Sequence, residues 1–206
     1  MADEAVRPKR QFDESWPPVR GEYAVGNPQA RVAVVTLASL LRIKGAAICG
    51  PCKTENLGVE KIVANVISNC NIRFLLICGA ESRGHLPGDT LLALQRNGID
   101  LQGRILGSRG AIPFIQNLGP EAVKRFQEQV ELVDCIGLED EAEIEGLIER
   151  YNSLSEPFPE EPFLAVRRRA AVKEVPFGEG DLSFGSGVVM DTAAWLVAEE
   201  AFAAEG

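Results

Sequence analysis

Cys49-Gly50-Pro51-Cys52, followed by Lys53, sets two thiols across a Gly-Pro turn. That spelling belongs to thiol–disulfide exchangers, in which a helix N-terminus lowers a thiol pKa and supplies a thiolate. The same pair would make half of a zinc site, but no second Cys-X-X-Cys follows. Cys70, Cys78, Cys135 and His85 have no metal-ligand spacing among themselves. His85, the only histidine, lies in Gly84-His85-Leu86-Pro87-Gly88. A neutral imidazole suits cobalt, iron or zinc, and the flanking glycines let a bulky group approach the backbone. Each candidate has a plainer reading beside it. Gly50-Pro51 can be a simple turn with Cys52 packed under it, and His85 a hydrogen-bonded surface or core residue.

The surrounding text weakens the exchanger. The stretch before Cys49 reads LRIKGAAI where such proteins carry an aromatic-rich strand. Ile112-Pro113 mimics their Ile-Pro step but lies well beyond the usual spacing.

Positioning these residues falls to alternating strands and helices. Arg31 to Leu37 and Ile72 to Cys78 are apolar runs expected as buried strands, with a short one at Gly45 to Cys49. A helix is expected over Glu55 to Ser68, capped by Thr54, with Leu57, Val59, Ile62, Val63, Val66 and Ile67 inward. A loop from Gly79 to Gly88 leads to a helix over Asp89 to Arg96, stopped at Asn97-Gly98. Arg104 to Leu106 reads as a short strand and Gly107 to Gly110 as a turn. Pro120 to Gln129 and Asp140 to Tyr151 read as helices, and Val130 to Ile136 as a strand. The alternation predicts an α/β fold: a Rossmann-like three-layer domain with a mostly parallel sheet. Ligands of such sheets bind beyond the carboxyl ends of the strands, which points to the loop after Cys78.

Three parts are expected: an N-terminal surface arm over 1–30, the α/β domain over 31–152, and a linker with a C-terminal appendage over 153–206. Glu156 to Pro162 is a Pro/acid stretch, Arg167 to Arg169 a basic cluster, and Gly178 to Gly187 is Gly-rich. Asp191 to Ala204 reads as an amphipathic helix. The chain has 206 residues, 46% of them hydrophobic, and a formal net charge of −9. This acidity argues against nucleic acid or anionic lipid as partner. No apolar run is long enough to span a membrane, and the odd cysteine count suits reduced thiols in a cytoplasmic setting.

Longer blocks go further. The general corrinoid signature has Asp two residues before its histidine and Gly three after; Gly88 fits, and Arg83 stands in the Asp position. The text GPCKTENLGVEKIVANVISNCNIRFLLICGAESRGHLPGDTLLAL, with GRILGSRGAIPFIQNL and VKRFQEQVELVD, closely resembles the A subunit of tetrahydromethanopterin S-methyltransferase from about Trp16 to Tyr151. The resemblance implies a corrinoid-carrying protein that holds cobalamin or a related cobamide. Its cobalt accepts a methyl group from a methyl-tetrahydropterin donor and passes it to a thiol such as coenzyme M, with methyl-donor and methyl-acceptor methyltransferase proteins as partners.

The family's lower cobalt ligand falls on His85 of CGAESRGH. Thr54, Glu55 and Asn56, Gly79, Gly84, Leu86 and Gly88, and Gly110, Ala111, Ile112 and Pro113 would surround the corrinoid. Glu81 or Asp89 can orient the imidazole or simply be solvated, and Arg83 and Arg109 can meet the cobamide's phosphate or amides or be plain surface arginines. The family reads Ala where Cys49 stands, so CGPC is a local departure. The family's C-terminal transmembrane helix has no counterpart in AAWLVAEEAFAAEG, so a soluble homologue without membrane insertion is expected. A cobamide storage or sensor module, and a CGPC thiol–disulfide protein, are the alternatives.

Overall fold

The computed structural model describes residues 11–165 and three strand segments beyond them. Four strands run parallel in the order β3 (Ile48–Gly50), β2 (Val32–Val35), β4 (Phe74–Gly79), β5 (Glu131–Ile136). A two-residue strand, β1 (Ala24–Val25), adds antiparallel to the β3 edge. The α/β expectation holds. Val32 to Val35 is buried throughout because the two faces of β2 belong to two cores. Ala33 and Val35, with Leu75 and Ile77, pack on the side of α1 (Leu57–Ile67), α2 (Pro87–Asn97) and α3 (Pro120–Gln129). Val32 and Val34, with Phe74, Leu76 and Cys78, meet Ile144 and Ile148 of α4 (Glu141–Asn152). Alternation of side chains along a strand makes a continuous apolar run serve both faces.

Several elements differ from the expected ones. Helix α1 begins at Leu57, and its N-cap is Asn56, whose side chain accepts from the Leu57 N–H. Thr54 Oγ1 instead accepts from the Gly58 N–H. Leu57, expected to face inward, is 52% exposed. Helix α2 begins earlier, at Pro87, since Pro suits a first helical turn. Residues 104–106 make isolated bridges to Ile99 and Phe114 rather than a strand in the main sheet.

The N-terminal arm is not merely superficial. Trp16 is buried in the α1-side core and its Nε1 donates to the Asn65 carbonyl; the Asn65 side-chain amide pairs with both backbone groups of Val19. The Pro/acid stretch is tied down as well: Phe158 and Phe163 donate backbone bonds to Cys70 and Ile67.

Compact units divide between Val166 and Arg167. Within the second, β6 (Leu182–Phe184), β7 (Val188–Asp191) and β8 (Leu196–Glu199) form an antiparallel sheet. This overturns the helix expected over Asp191 to Ala204. Ladder bonds between β7 and β8 satisfy the backbone that a helix would have paired within itself. The Arg167 to Arg169 cluster and most of Gly178 to Gly187 lie outside the described residues. Among the described residues, no helix is long and apolar enough to cross a membrane.

Candidate functional site

The loops at the carboxyl ends of β3 and β4 make the site. Gly79 ends β4 with φ +78°, and a Cβ there would lie 2.3 Å from the Thr36 carbonyl oxygen. Glycine is thus required for close packing under the loop, which is a structural role. Ala38 donates to the Ala80 carbonyl and Ala80 donates to Ser39 Oγ, so the crevice between the β2 and β4 ends is bridged. The chain then turns toward α2. Ser82 accepts from the N–H groups of His85 and Leu86.

His85 sits between Gly84 at φ +79° and Leu86 at φ 46°. The left-handed conformation costs a leucine about 1–2 kcal/mol, a strain the surroundings must hold. Part of the hold is visible: the Leu86 carbonyl takes both the N–H and the hydroxyl of Thr90.

Glu55 orients the imidazole. Its Oε2 lies 2.8 Å from His85 Nδ1, and its Oε1 accepts the Ile112 N–H at 2.7 Å. The Glu55 side chain is 2% exposed, whereas that of His85 is 52% exposed. Burial pushes the Glu55 carboxyl up, but N–H groups of its own backbone and of Ile112, together with His85, outweigh it and hold the pKa below the usual value. The N-terminus of α1 just beyond adds a favourable dipole. A carboxylate that accepts from Nδ1–H selects the tautomer with its lone pair on Nε2. Among the described residues, Nε2 has no hydrogen-bond partner, and it belongs to the exposed ring.

This corrects the expectation that Glu81 or Asp89 orients the ring. Glu81 caps α2, accepting from the N–H groups of Gly88 and Asp89. Asp89 accepts from the Arg109 N–H and pairs with its guanidinium at 2.7 Å. Arg109 is thereby engaged, and Arg83 is exposed.

The other expected residues divide. Gly84, Ala111 and Ile112 are exposed beside His85, whereas Pro113 and Gly88 are buried. A Cβ on Gly88 would meet Glu81 Oε1 at 2.7 Å and Ile136 at 2.9 Å, so it packs α2 on β5. Gly110 is a true close approach: a Cβ there would lie 2.6 Å from the His85 carbonyl oxygen and 2.9 Å from Glu55 Cγ. Thr54 and Asn56 serve the start of α1.

Glu60 escaped the sequence reading. It is 6% exposed and accepts from the Gln116 and Asn117 N–H groups and the Asn117 side chain. A charge among Val59, Val63 and Ile67 on a buried helix face was the signal.

The three blocks TENLG, GAESRGH and GAIPF therefore meet at one point, around Glu55. A model of the family described as the A subunit of tetrahydromethanopterin S-methyltransferase matches residues 9–170. The chain belongs to that family. The A subunit of the putative methyltransferase Mtx of Methanosarcina acetivorans is 56% identical over 187 residues, covering 89% of this chain and 94% of that protein. Its counterpart in Methanosarcina barkeri is 53% identical over 191 residues, 91% of this chain and 96% of that protein. The first of the two A subunits of tetrahydromethanopterin S-methyltransferase in Methanobrevibacter ruminantium is 56% identical over 137 residues, 64% of this chain and 56% of that protein.

Neither thiol bonds to Glu55 or His85; the Cys52 thiol donates to the Thr54 carbonyl. Helix α1 starts at Leu57, so Cys52 does not sit at its first turn. Burial pushes the Cys49 thiol up to about 11 and the Cys52 thiol up to about 12. Both are free. An exchanger needs the opposite shift. At pH 8 the native protein is expected to react with a disulfide reagent about 100-fold slower than a free thiol at Cys49 and about 1000-fold slower at Cys52, and at the free-thiol rate once unfolded. Rapid native labelling of Cys49, read by mass spectrometry, would restore the exchanger reading.

Proposed function

We propose that this chain is a corrinoid-carrying protein that receives a methyl group and hands it on, with His85 as the protein ligand to cobalt. The observation that carries the reading is the buried Glu55 carboxylate on Nδ1, which leaves Nε2 as a lone-pair donor on an open surface. Carboxylates placed in this way are what metal-bound histidines use. Among the described residues, no three metal-binding side chains converge. The donor set is thus one imidazole, which suits a metal already held by a macrocycle. Openness also fits. The apolar cavity of ≈ 90 Å³ between α1 and the sheet does not include His85, whereas beside the imidazole a Cβ on Gly84 would meet nothing within 4 Å.

Bound there, cobalamin or a related cobamide supplies a cobalt that accepts and releases a methyl group. The protein's part is to hold and orient. Glu55 fixes the ring's tautomer and direction, Gly84 leaves room above the loop, and Gly110 lets the 108–112 segment close against His85. A methyl-tetrahydropterin is the donor class, and a thiol such as coenzyme M the acceptor class. The name of the Methanobrevibacter ruminantium relative, a tetrahydromethanopterin S-methyltransferase, supports a tetrahydropterin donor and a sulfur acceptor, and the naming of all three as subunits supports partner proteins that complete the reaction.

The test is reconstitution with cobalamin, desalting, and a visible spectrum, for wild type and His85→Ala. Wild type is expected to keep cobalamin with an imidazole-ligated spectrum, and His85→Ala to lose that signature. Absence of any retained corrinoid in folded wild type would end the carrier reading.

A further inference from the structure

One carboxylate serves two elements at this site. Glu55 Oε2 binds the imidazole and Oε1 binds the Ile112 backbone. At 1% exposure, no bulk water replaces either donor. Ile112 belongs to a small ribbon over 104–114, in which Arg104 bridges Phe114 and Ile105 donates to the Pro113 carbonyl. Beyond this bridge the two strands part: the Leu106 N–H donates to the Gly98 carbonyl, and Ile112, 60% exposed, has its own N–H on Glu55. The chain is anchored on both sides of Ile112. Upstream, Ser108 Oγ meets Thr90 Oγ1 at 2.7 Å and Arg109 is clasped by Asp89. Downstream, Glu60 holds Gln116 and Asn117. Between these anchors, the Glu55 carboxylate leads back to the imidazole ring.

We propose that Glu55 is a positioning residue that couples the ligation of His85 to the ribbon, so that the exposed Ile112 senses whether the imidazole carries a metal. This rests on the carrier reading above. A metal on Nε2 makes the Nδ1–H a stronger donor, and the carboxylate commits more of its charge to that bond. Donors sharing one acceptor then compete, the reverse of the mutual strengthening seen along a hydrogen-bonded chain. The Ile112 N–H loses part of its acceptor and opens more readily when His85 is ligated. A bound group that merely covered Ile112 would act with the opposite sign.

Amide hydrogen exchange of the full chain, resolved by NMR, measures this with and without aquocobalamin. The expected result is an Ile112 amide that exchanges about threefold faster in the loaded protein, with Leu94 in α2 unchanged as reference. Loaded Glu55→Gln, whose amide offers a single acceptor oxygen, should show no acceleration. If wild type takes up cobalamin and the Ile112 amide slows or stays the same, the coupling is overturned and the carrier reading stands. If wild type takes up none, both fall. Should Glu55→Gln not fold, the sign of the wild-type change still decides.

Discussion

Glu55→Ala is expected to weaken cobalamin retention about 10- to 100-fold, the usual cost of losing the partner that orients a ligating histidine. The argument starts from the ring. His85 is anchored through Nδ1 alone, and half of its imidazole faces solvent. Without the carboxylate the ring can rotate about its side-chain bonds, and both neutral tautomers become available. Only one of them presents an Nε2 lone pair in the present orientation. Ordering the ring then has to come out of ligand binding, which lowers affinity.

A structural cost follows too. The Ile112 N–H loses its acceptor at a part-buried position, a defect of about 1–3 kcal/mol. Glu55→Gln should fall between wild type and Glu55→Ala, because its one carbonyl oxygen can serve His85 or Ile112 but not both. Cobalamin titration gives the affinities, and the nitrogen shifts of His85 give the tautomer. A Glu55→Ala protein that binds as wild type does, with an unchanged tautomer, would show that the ring needs no orienting partner.

The fate of Glu55 shows where a sequence stops being legible. Val32 to Val35 and Phe74 to Gly79 announce themselves as buried strands, because both faces need apolar residues. Pro120 to Gln129 announces its own limits through Pro at the start and the β-prone text after it. His85 stands out as the one imidazole, flanked by glycine. Its partner does not stand out, because the two are 30 residues apart. They meet only because β3 and β4 run parallel, with β2 between them, and open their loops at the same end. Strand order is a property of the assembled sheet. Near neighbours such as Glu81 and Asp89 look like the obvious partners, but the left-handed turn at Leu86 delivers both to the first turn of α2. Glu60 was hidden for a related reason: a buried carboxylate reads as a surface charge until the 116–117 backbone that it satisfies is in place. The amphipathic spacing of 191–204 misled, because Asp191 and residues 196–199 pair in a short antiparallel ladder.

Arg125→Met is expected to lower the stability of the folded domain by about 2–4 kcal/mol. Arg125 of α3 is 5% exposed. Its Nε donates to Gln129 Oε1, its Nη1 to Glu160 Oε2, and its Nη2 to the Glu161 carbonyl, each at 2.8 Å. The guanidinium also lies 4.4 Å from the centroid of the Phe158 ring. It is thus the clasp that holds residues 158–161 against the body. Methionine keeps much of the volume and removes every donor. Gln129, 1% exposed, then has an orphaned Oε1, although its Nε2 still closes three carbonyls at the end of α1.

The ion pair itself contributes little, because the Glu160 side chain is 63% exposed and water can replace it. Glu160→Gln should therefore cost under about 1 kcal/mol. Urea unfolding of the two variants separates the terms: a large fall in midpoint for Arg125→Met with little change for Glu160→Gln, at an unchanged slope. Equal falls would mean that the salt bridge carries the clasp. A small fall in both would mean that the strap adds little to the domain. The position also bears on function by contrast. The clasp acts near the start of β4, away from the His85 loop at its other end, so Arg125→Met protein that remains folded should keep its cobalamin affinity. Loss of affinity in the folded variant would show that the strap and the imidazole are coupled through the sheet.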